Sequence, residues 1–359
     1  MNRDATKETG MALTARRREM LKLTGLAALG LASTVGAPAM AQQTLAWDKT
    51  FPKSDHVDHR KVSYTNRLGI ALVADLYIPK GLERSSRHPA LVVGTPFGAV
   101  KEQSSGLYAQ TMAERGFVAI AHDPSYVGES GGQPHEIASS EALVEDFSAG
   151  VDFLGRLPFV DRERIGLIGV CGSGGFGLAA AEIDPRIKAV ATVSMYDIGQ
   201  AKRQGLSAAA DETSIKKSLE KVAAQRWAEV DGAERTMVIG TPQVITAASS
   251  EIDREFYDYY RTPRGQHARS TTAFTTTSDA QMMQFWSHER LGWISPRPVL
   301  FITGDKAHSR IFSEHAFAKA SEPKELFIVP NAGHVDLYDR VDLIPWEKLK
   351  TFFDRNLSV

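Results

Sequence analysis

The 359-residue chain carries a single cysteine, Cys171. One thiol rules out an internal disulfide, so packing alone must hold the fold, even in an oxidising compartment. A lone thiol retained in such a chain points to chemical use. No long block of like charge occurs and the net charge is −1, which removes the electrostatic basis for gripping nucleic acid or an anionic membrane surface. The apolar run at residues 23–35 is too short to span a bilayer as a helix. Neither an internal repeat nor a low-complexity tract is present, which excludes solenoid arrays and compositionally disordered tails. The reading calls for no cofactor and no metal.

What is present begins with a targeting segment. Arg16, Arg17 and Arg18 precede the apolar run, and Ala39-Met40-Ala41 forms an A-x-A cleavage site. A basic region, a short apolar core and such a site make a secretory signal. Arg17-Arg18 followed by Met20-Leu21-Lys22 resembles a twin-arginine signal, which exports folded proteins. Cleavage after Ala41 is expected, giving a periplasmic or secreted protein with no membrane attachment. The remaining chain of just over 300 residues suffices for one large α/β domain with an insertion.

Residues 59–64 and 70–78 alternate in polarity around a turn at 65–69, the pattern of an edge hairpin. Short apolar runs at 89–94, 117–121, 165–170, 187–193, 298–303 and 325–329 read as buried strands. Helical stretches lie between them: after the 95–103 loop up to 115, then 139–154, 176–182 and finally 345–356. Strands alternating with helices predict a mostly parallel, doubly wound sheet. The gap from 198 to 297 is far longer than a crossover requires. It predicts a helical cap with helices at 207–230 (Ser207 as a cap), 251–260 and 281–292. The domain plan is therefore 1–41 signal, 42–197 and 298–359 core, and 198–297 cap.

The chain is organised around Gly169-Val170-Cys171-Gly172-Ser173-Gly174-Gly175. An apolar strand running through small residues into a helix is the form of a nucleophile elbow, with the reactive side chain at the strained tip. The tip here is Cys171, giving G-x-C-x-S, and a thiolate attacks carbonyl carbon as an activated serine does. Ser173 is the rival nucleophile, although a hydroxyl two residues into the turn suits a helix cap better. His334, on a Gly-containing loop after the last strand, is the candidate base. The chain order nucleophile, acid, histidine matches this architecture. Asp305, the one carboxylate in the 304–309 turn after the penultimate strand, is the candidate acid, with Asp197 as the alternative. The N–H groups of Gly172 and Phe97 are the candidate oxyanion donors, because Pro96 has none. A thiol is more acidic than a hydroxyl, so partial thiolate is expected even without strong help from the acid.

Together, the segments 95–103, 123–132, 169–175, 304–309 and 333–339 resemble the α/β-hydrolase superfamily across the chain beyond the signal. The cysteine elbow is similar to that of dienelactone hydrolases, and the set resembles a group named dienelactone-hydrolase-like or polyketide-transferase-like. The resemblance implies an α/β-hydrolase fold with a Cys-His-Asp triad. Many relatives place the acid three residues after the turn glycine, where this chain has Ala307. The small-molecule substrate it implies is an ester, lactone or thioester, cleaved through an acyl-cysteine. Acyl transfer from the same intermediate and a non-catalytic binding role are the alternatives. Oligomeric state is not readable from the sequence.

Overall fold

A computed structural model describes residues 47–206 and 211–358. The expected signal at 1–41, its expected cleavage site and the expected Ser207 cap lie outside the described residues. Strands β1 (Val57–Thr65) and β2 (Ala71–Pro79) form the edge hairpin. Its turn is closed by Asn66, whose Oδ1 accepts the N–H groups of Leu68 and Ile70. The core then alternates: β3 (His88–Gly94), α1 (Ser104–Glu114), β4 (Val118–His122), α2 (Ser140–Gly155), β5 (Val160–Val170), α3 (Gly172–Ile183) and β6 (Ile187–Val193). Ser139 caps α2 by accepting from the N–H of Ala142.

The insertion follows β6. It contains α4 (Ile198–Gln204), α5 (Glu212–Val230), β7 (Met237–Ile239), α6 (Glu251–Tyr260), β8 (Ala273–Thr275), α7 (Ser278–Gln284) and a 3-10 turn (Leu291–Ile294). The chain closes with β9 (Val299–Gly304), α8 (Arg310–Lys319), β10 (Lys324–Val329), α9 (Asp336–Asp339) and α10 (Trp346–Asn356).

The main sheet has the order β1-β2-β4-β3-β5-β6-β9-β10, with every pairing from β4 onward parallel. Its inner strands are buried on both faces, which is why they read as unbroken apolar runs. Side chains nevertheless divide with period two. Leu91 and Val93 join the core under α1 and α10, whereas Ala90 and Val92 join the one under α2, α3 and α8. Fully burying one large aliphatic side chain stabilises by about 1.5–3 kcal/mol, so these two layers fix the register. The order reverses at β3, between β4 and β5. A crevice outside the strand ends at such a switch point is where α/β sheets place ligands.

Two helices of the insertion differ from expectation. The helix predicted over 207–230 begins at Glu212 after residues outside the description, and Asp211 caps it by accepting from Thr213 and Ser214 N–H. The helix predicted over 281–292 stops at Gln284, and Phe285 is extended. Arg203 of α4 supplies the reason. Its Nη1 donates to the carbonyls of Met283 and Phe285, both at 2.7 Å, and its guanidinium lies 3.4 Å from the Trp286 ring centroid. A buried cation from another element thus gives the freed carbonyls the partners that another helical turn would have supplied.

Candidate active site

Between β5 and α3 the chain turns within one residue. Cys171 has φ 55° and ψ −123°, a region that costs a non-glycine residue about 1–3 kcal/mol and persists only when its surroundings impose it. Three backbone hydrogen bonds do so. Cys171 N–H donates to Val193 O, and its carbonyl accepts from Gly174 and Tyr196 N–H, all at 2.9 Å. The small residues are required by close approach. A Cβ on Gly169 would lie 2.3 Å from Ser173 O, and one on Gly174 would lie 2.5 Å from Met195 Cβ.

The Cys171 side chain is 6% exposed. Burial pushes the thiol pKa up, and the Tyr338 hydroxyl with the N–H groups of Phe97 and Gly172, which favour the thiolate, pull it only partly back. The surroundings therefore favour the protonated thiol over the partial thiolate expected from thiol chemistry alone. Phe97 and Gly172, the pair read as oxyanion donors, lie side by side at this tip, where a Cβ on Gly172 would be 2.9 Å from Phe97 Cβ.

His334 follows β10 on the loop into α9 and is fully buried. Its Nε2 lies 2.8 Å from Tyr338 Oη and its Nδ1 2.6 Å from Ser309 Oγ. Burial, reinforced by the neighbouring His308, holds its pKa well below the ordinary imidazole value. The ring is therefore a neutral base at pH 7.

Asp305 does not orient this ring. It is exposed, and its N–H continues the ladder by donating to Val329 O. The turn then folds back through an Ala307 N–H to Gly304 O bond, bringing Ser309 rather than a carboxylate under Nδ1. Asp197 is also elsewhere. It caps α4 through Gln200 N–H at 2.8 Å, and its Oδ2 lies 3.4 Å from His288 Nδ1. Ser173 sits in the first turn of α3 without a capping bond. Its Cβ and Oγ would each lie 2.7 Å from a Cβ on Gly94, so it faces β3 instead of the cavity.

Two groups at the site escaped the sequence reading. Tyr338 follows His334 by four residues, a spacing that returns a side chain to the same side of a helical turn, and that signal was present. Glu255, from α6 of the insertion, has no local signal. Its Oε1 accepts Val335 N–H at 3.0 Å and its Oε2 accepts from His308 Nδ1 at 2.9 Å. Burial raises the Glu255 pKa, but these bonds outweigh it and keep the carboxylate ionised below its ordinary value. The His308 ring packs 4.7 Å from the His334 ring, centroid to centroid. The carboxylate therefore acts on the histidine loop without touching the imidazole.

A cavity of about 300 Å³ opens on Cys171. The insertion supplies most of its walls, and Phe97 stacks on Phe274 there with centroids 4.0 Å apart. Tyr196, Phe256, Val238 and Met282 add apolar surface. Lys202 and Asp279 are the only lining residues with formal charges at pH 7, and they neutralise one another at 2.6 Å. Among the described residues no group of three His, Cys, Asp or Glu is placed to hold a metal ion.

Comparison with known proteins agrees with this architecture. The chain is 49% identical over 343 residues to the uncharacterised protein PA2218 of Pseudomonas aeruginosa, covering 93% of this chain and 90% of that one. The crystal structure of PA2218 superposes with a TM-score of 0.84 over 88% of this chain and 98% of that one. A thiohydrolase of Eupenicillium brefeldianum is 27% identical over 75% of this chain and 86% of its own length. The α/β-hydrolase GrgF of Penicillium shares the fold at 21% identity, with a TM-score of 0.69 over 84% of this chain and all of that one. Residues 69–339 match the model of the family described as X-Pro dipeptidyl-peptidase (S15 family). The protein is thus an α/β hydrolase belonging to the S15 family, with cysteine at the tip of its elbow.

Proposed function

We propose that the protein hydrolyses thioesters or esters of apolar acyl groups through an acyl-cysteine on Cys171. The observation that carries this reading is Cys171 at a strained strand-to-helix tip on the edge of an apolar cavity, with Phe97 and the His334-bonded Tyr338 lining the same cavity. His334 takes the thiol proton as the sulfur attacks the acyl carbon. Phe97 and Gly172 N–H groups hold the oxyanion of the tetrahedral intermediate. The leaving group departs as a thiol or alcohol, taking the proton back from the imidazolium and returning His334 to its neutral form. Water, deprotonated by His334, then releases the acid and restores the thiol. Thioesters suit this site best, because a departing thiolate matches the entering one and no uphill step separates them.

Acyl transfer is the second reading. It is supported by the burial of Cys171 in an apolar cavity, which would let an alcohol or amine compete with water for the intermediate. Aminopeptidase action of the kind named in the family's description is disfavoured. A substrate ammonium needs an unpaired carboxylate, and Asp279, the carboxylate of the lining, is engaged by Lys202. The signal at 1–41 supports export to the periplasm as part of this proposal.

The test is a stopped-flow screen of the purified protein against chromogenic thioesters and esters, with intact-mass analysis of trapped intermediates. The expected result is a burst of leaving group and an acyl adduct on Cys171, both absent in Cys171→Ala. An adduct on Ser173, or full turnover by Cys171→Ala, overturns the proposal.

A further inference from the structure

We infer that Tyr338 is a catalytic residue: its hydroxyl carries the thiol proton from Cys171 to His334. This rests on the acyl-cysteine reading above and assigns the route by which its nucleophile is activated. Among the described residues no hydrogen bond joins Cys171 directly to His334. Tyr338 stands between them: it lines the cavity beside Cys171, where its hydroxyl favours the thiolate, and its oxygen lies 2.8 Å from Nε2.

The surroundings accommodate the tautomer that such a transfer needs. Ser309 Oγ, fully buried at 2.6 Å from Nδ1, can accept Nδ1–H, which leaves the Nε2 lone pair facing the phenol. Tyr338 O–H then donates to Nε2, and the thiol S–H donates to the phenol oxygen. As the sulfur bonds to the acyl carbon, S–H breaks and a new O–H forms. The former Tyr338 O–H breaks and Nε2–H forms. One proton has crossed, and tyrosine ends neutral.

The phenol is held where this requires. Tyr338 is fully buried. Its N–H donates to Val335 O at 3.0 Å, and the ring packs edge-on against Tyr259 with centroids 5.1 Å apart. Tyr260 packs edge-on against the same ring, with centroids 6.4 Å apart. Burial, together with the negative field that Cys171 would add, holds the phenol well above its ordinary pKa. A free phenolate is therefore not a resting point, and the two protons move together. Tyr338 also lines the cavity, so the same hydroxyl can take a proton from the water that cleaves the acyl-enzyme.

The experiment measures single-turnover acylation by a chromogenic acyl thioester in mixtures of H₂O and D₂O, for the wild-type protein and Tyr338→Phe. General acid–base groups contribute about 10²–10⁴-fold. Tyr338→Phe is expected to slow acylation at least 10²-fold with the thermal midpoint within a few degrees of wild type. The wild-type rate is expected to follow a curved proton inventory, as two moving protons demand. A linear inventory, or acylation by Tyr338→Phe within three-fold of wild type, overturns the relay. The inventory uses the native protein, so the proposal stays testable should the variant fold poorly. Mass analysis separates the two layers. A Cys171 adduct formed at the wild-type rate in Tyr338→Phe sinks the relay alone, whereas no adduct in either protein sinks the acyl-cysteine.

Discussion

Glu255 is the most direct test of how the histidine loop is held. Glu255→Ala deletes the acceptors of two hydrogen bonds, from Val335 N–H and His308 Nδ1. Hydrogen bonds to a charged group contribute about 1.5–3 kcal/mol each. The carboxylate side chain is 25% exposed, so the lower end applies. The N–H of Val335, a residue only 1% exposed, is left unpaired, at a cost of about 1–3 kcal/mol. These contributions share one loop and do not add fully, so a loss of about 2–4 kcal/mol is expected, some 4–10 °C in midpoint. Displacement of His334 by about 1 Å would slow acylation by about 10²-fold. Glu255→Gln keeps an acceptor for Val335 and should recover most of the stability but not all of the rate. The sign of the pH dependence follows from the carboxylate's depressed pKa. The stability difference between wild type and Glu255→Gln should be fully present above the ordinary value of 4.5 and fade as pH falls through the lower folded value. Thermal unfolding and single-turnover acylation check both parts. A Glu255→Ala protein within 1 °C and two-fold of wild type would refute the claim that the insertion supports the base.

Three other outcomes follow from the geometry. Asp305→Asn should leave kcat within about two-fold, since the side chain is exposed and Ser309 meets the imidazole; a loss near the 10⁴-fold of a serine enzyme deprived of its acid would restore Asp305 to a triad. Gly169→Ala should destabilise by about 1–3 kcal/mol or more in urea titration, because the added Cβ meets backbone atoms of Ser173 and cannot be relieved by a side-chain rotation. Iodoacetamide should alkylate Cys171 more slowly in the native protein at pH 7–8 than in urea, with the native rate still climbing past the ordinary thiol range, because burial raises its pKa; faster native labelling would mean a resting thiolate.

The elbow was legible because its demands are local. A strand that turns within one residue needs small neighbours, and Gly169, Gly172 and Gly174 declare that need in seven letters. The buried strands were legible for a similar reason, since a run apolar on both faces has few other uses, and their alternation with helices implied the sheet. His334 as the candidate base and Phe97 with Gly172 as the candidate donor pair were read from chain order, which the parallel sheet imposes on its loops. The acid did not follow, because a turn's composition does not say which side chain points inward. Asp305 has the right chemistry and faces water, while Ser309, four residues later, is folded beneath the imidazole. Glu255 reaches the same loop from almost 80 residues upstream, across an insertion whose path no local pattern encodes. The end of α7 depends likewise on Arg203 from another helix, so periodicity overran it. The protonation state of Cys171 shows the limit most clearly. The residue type alone implies a moderately acidic thiol, and only the packed surroundings that exclude water make it a weaker acid. Local chemistry made the elbow, the candidate nucleophile and base, and the sheet legible; contacts between distant segments decided what lies against those residues and what covers them.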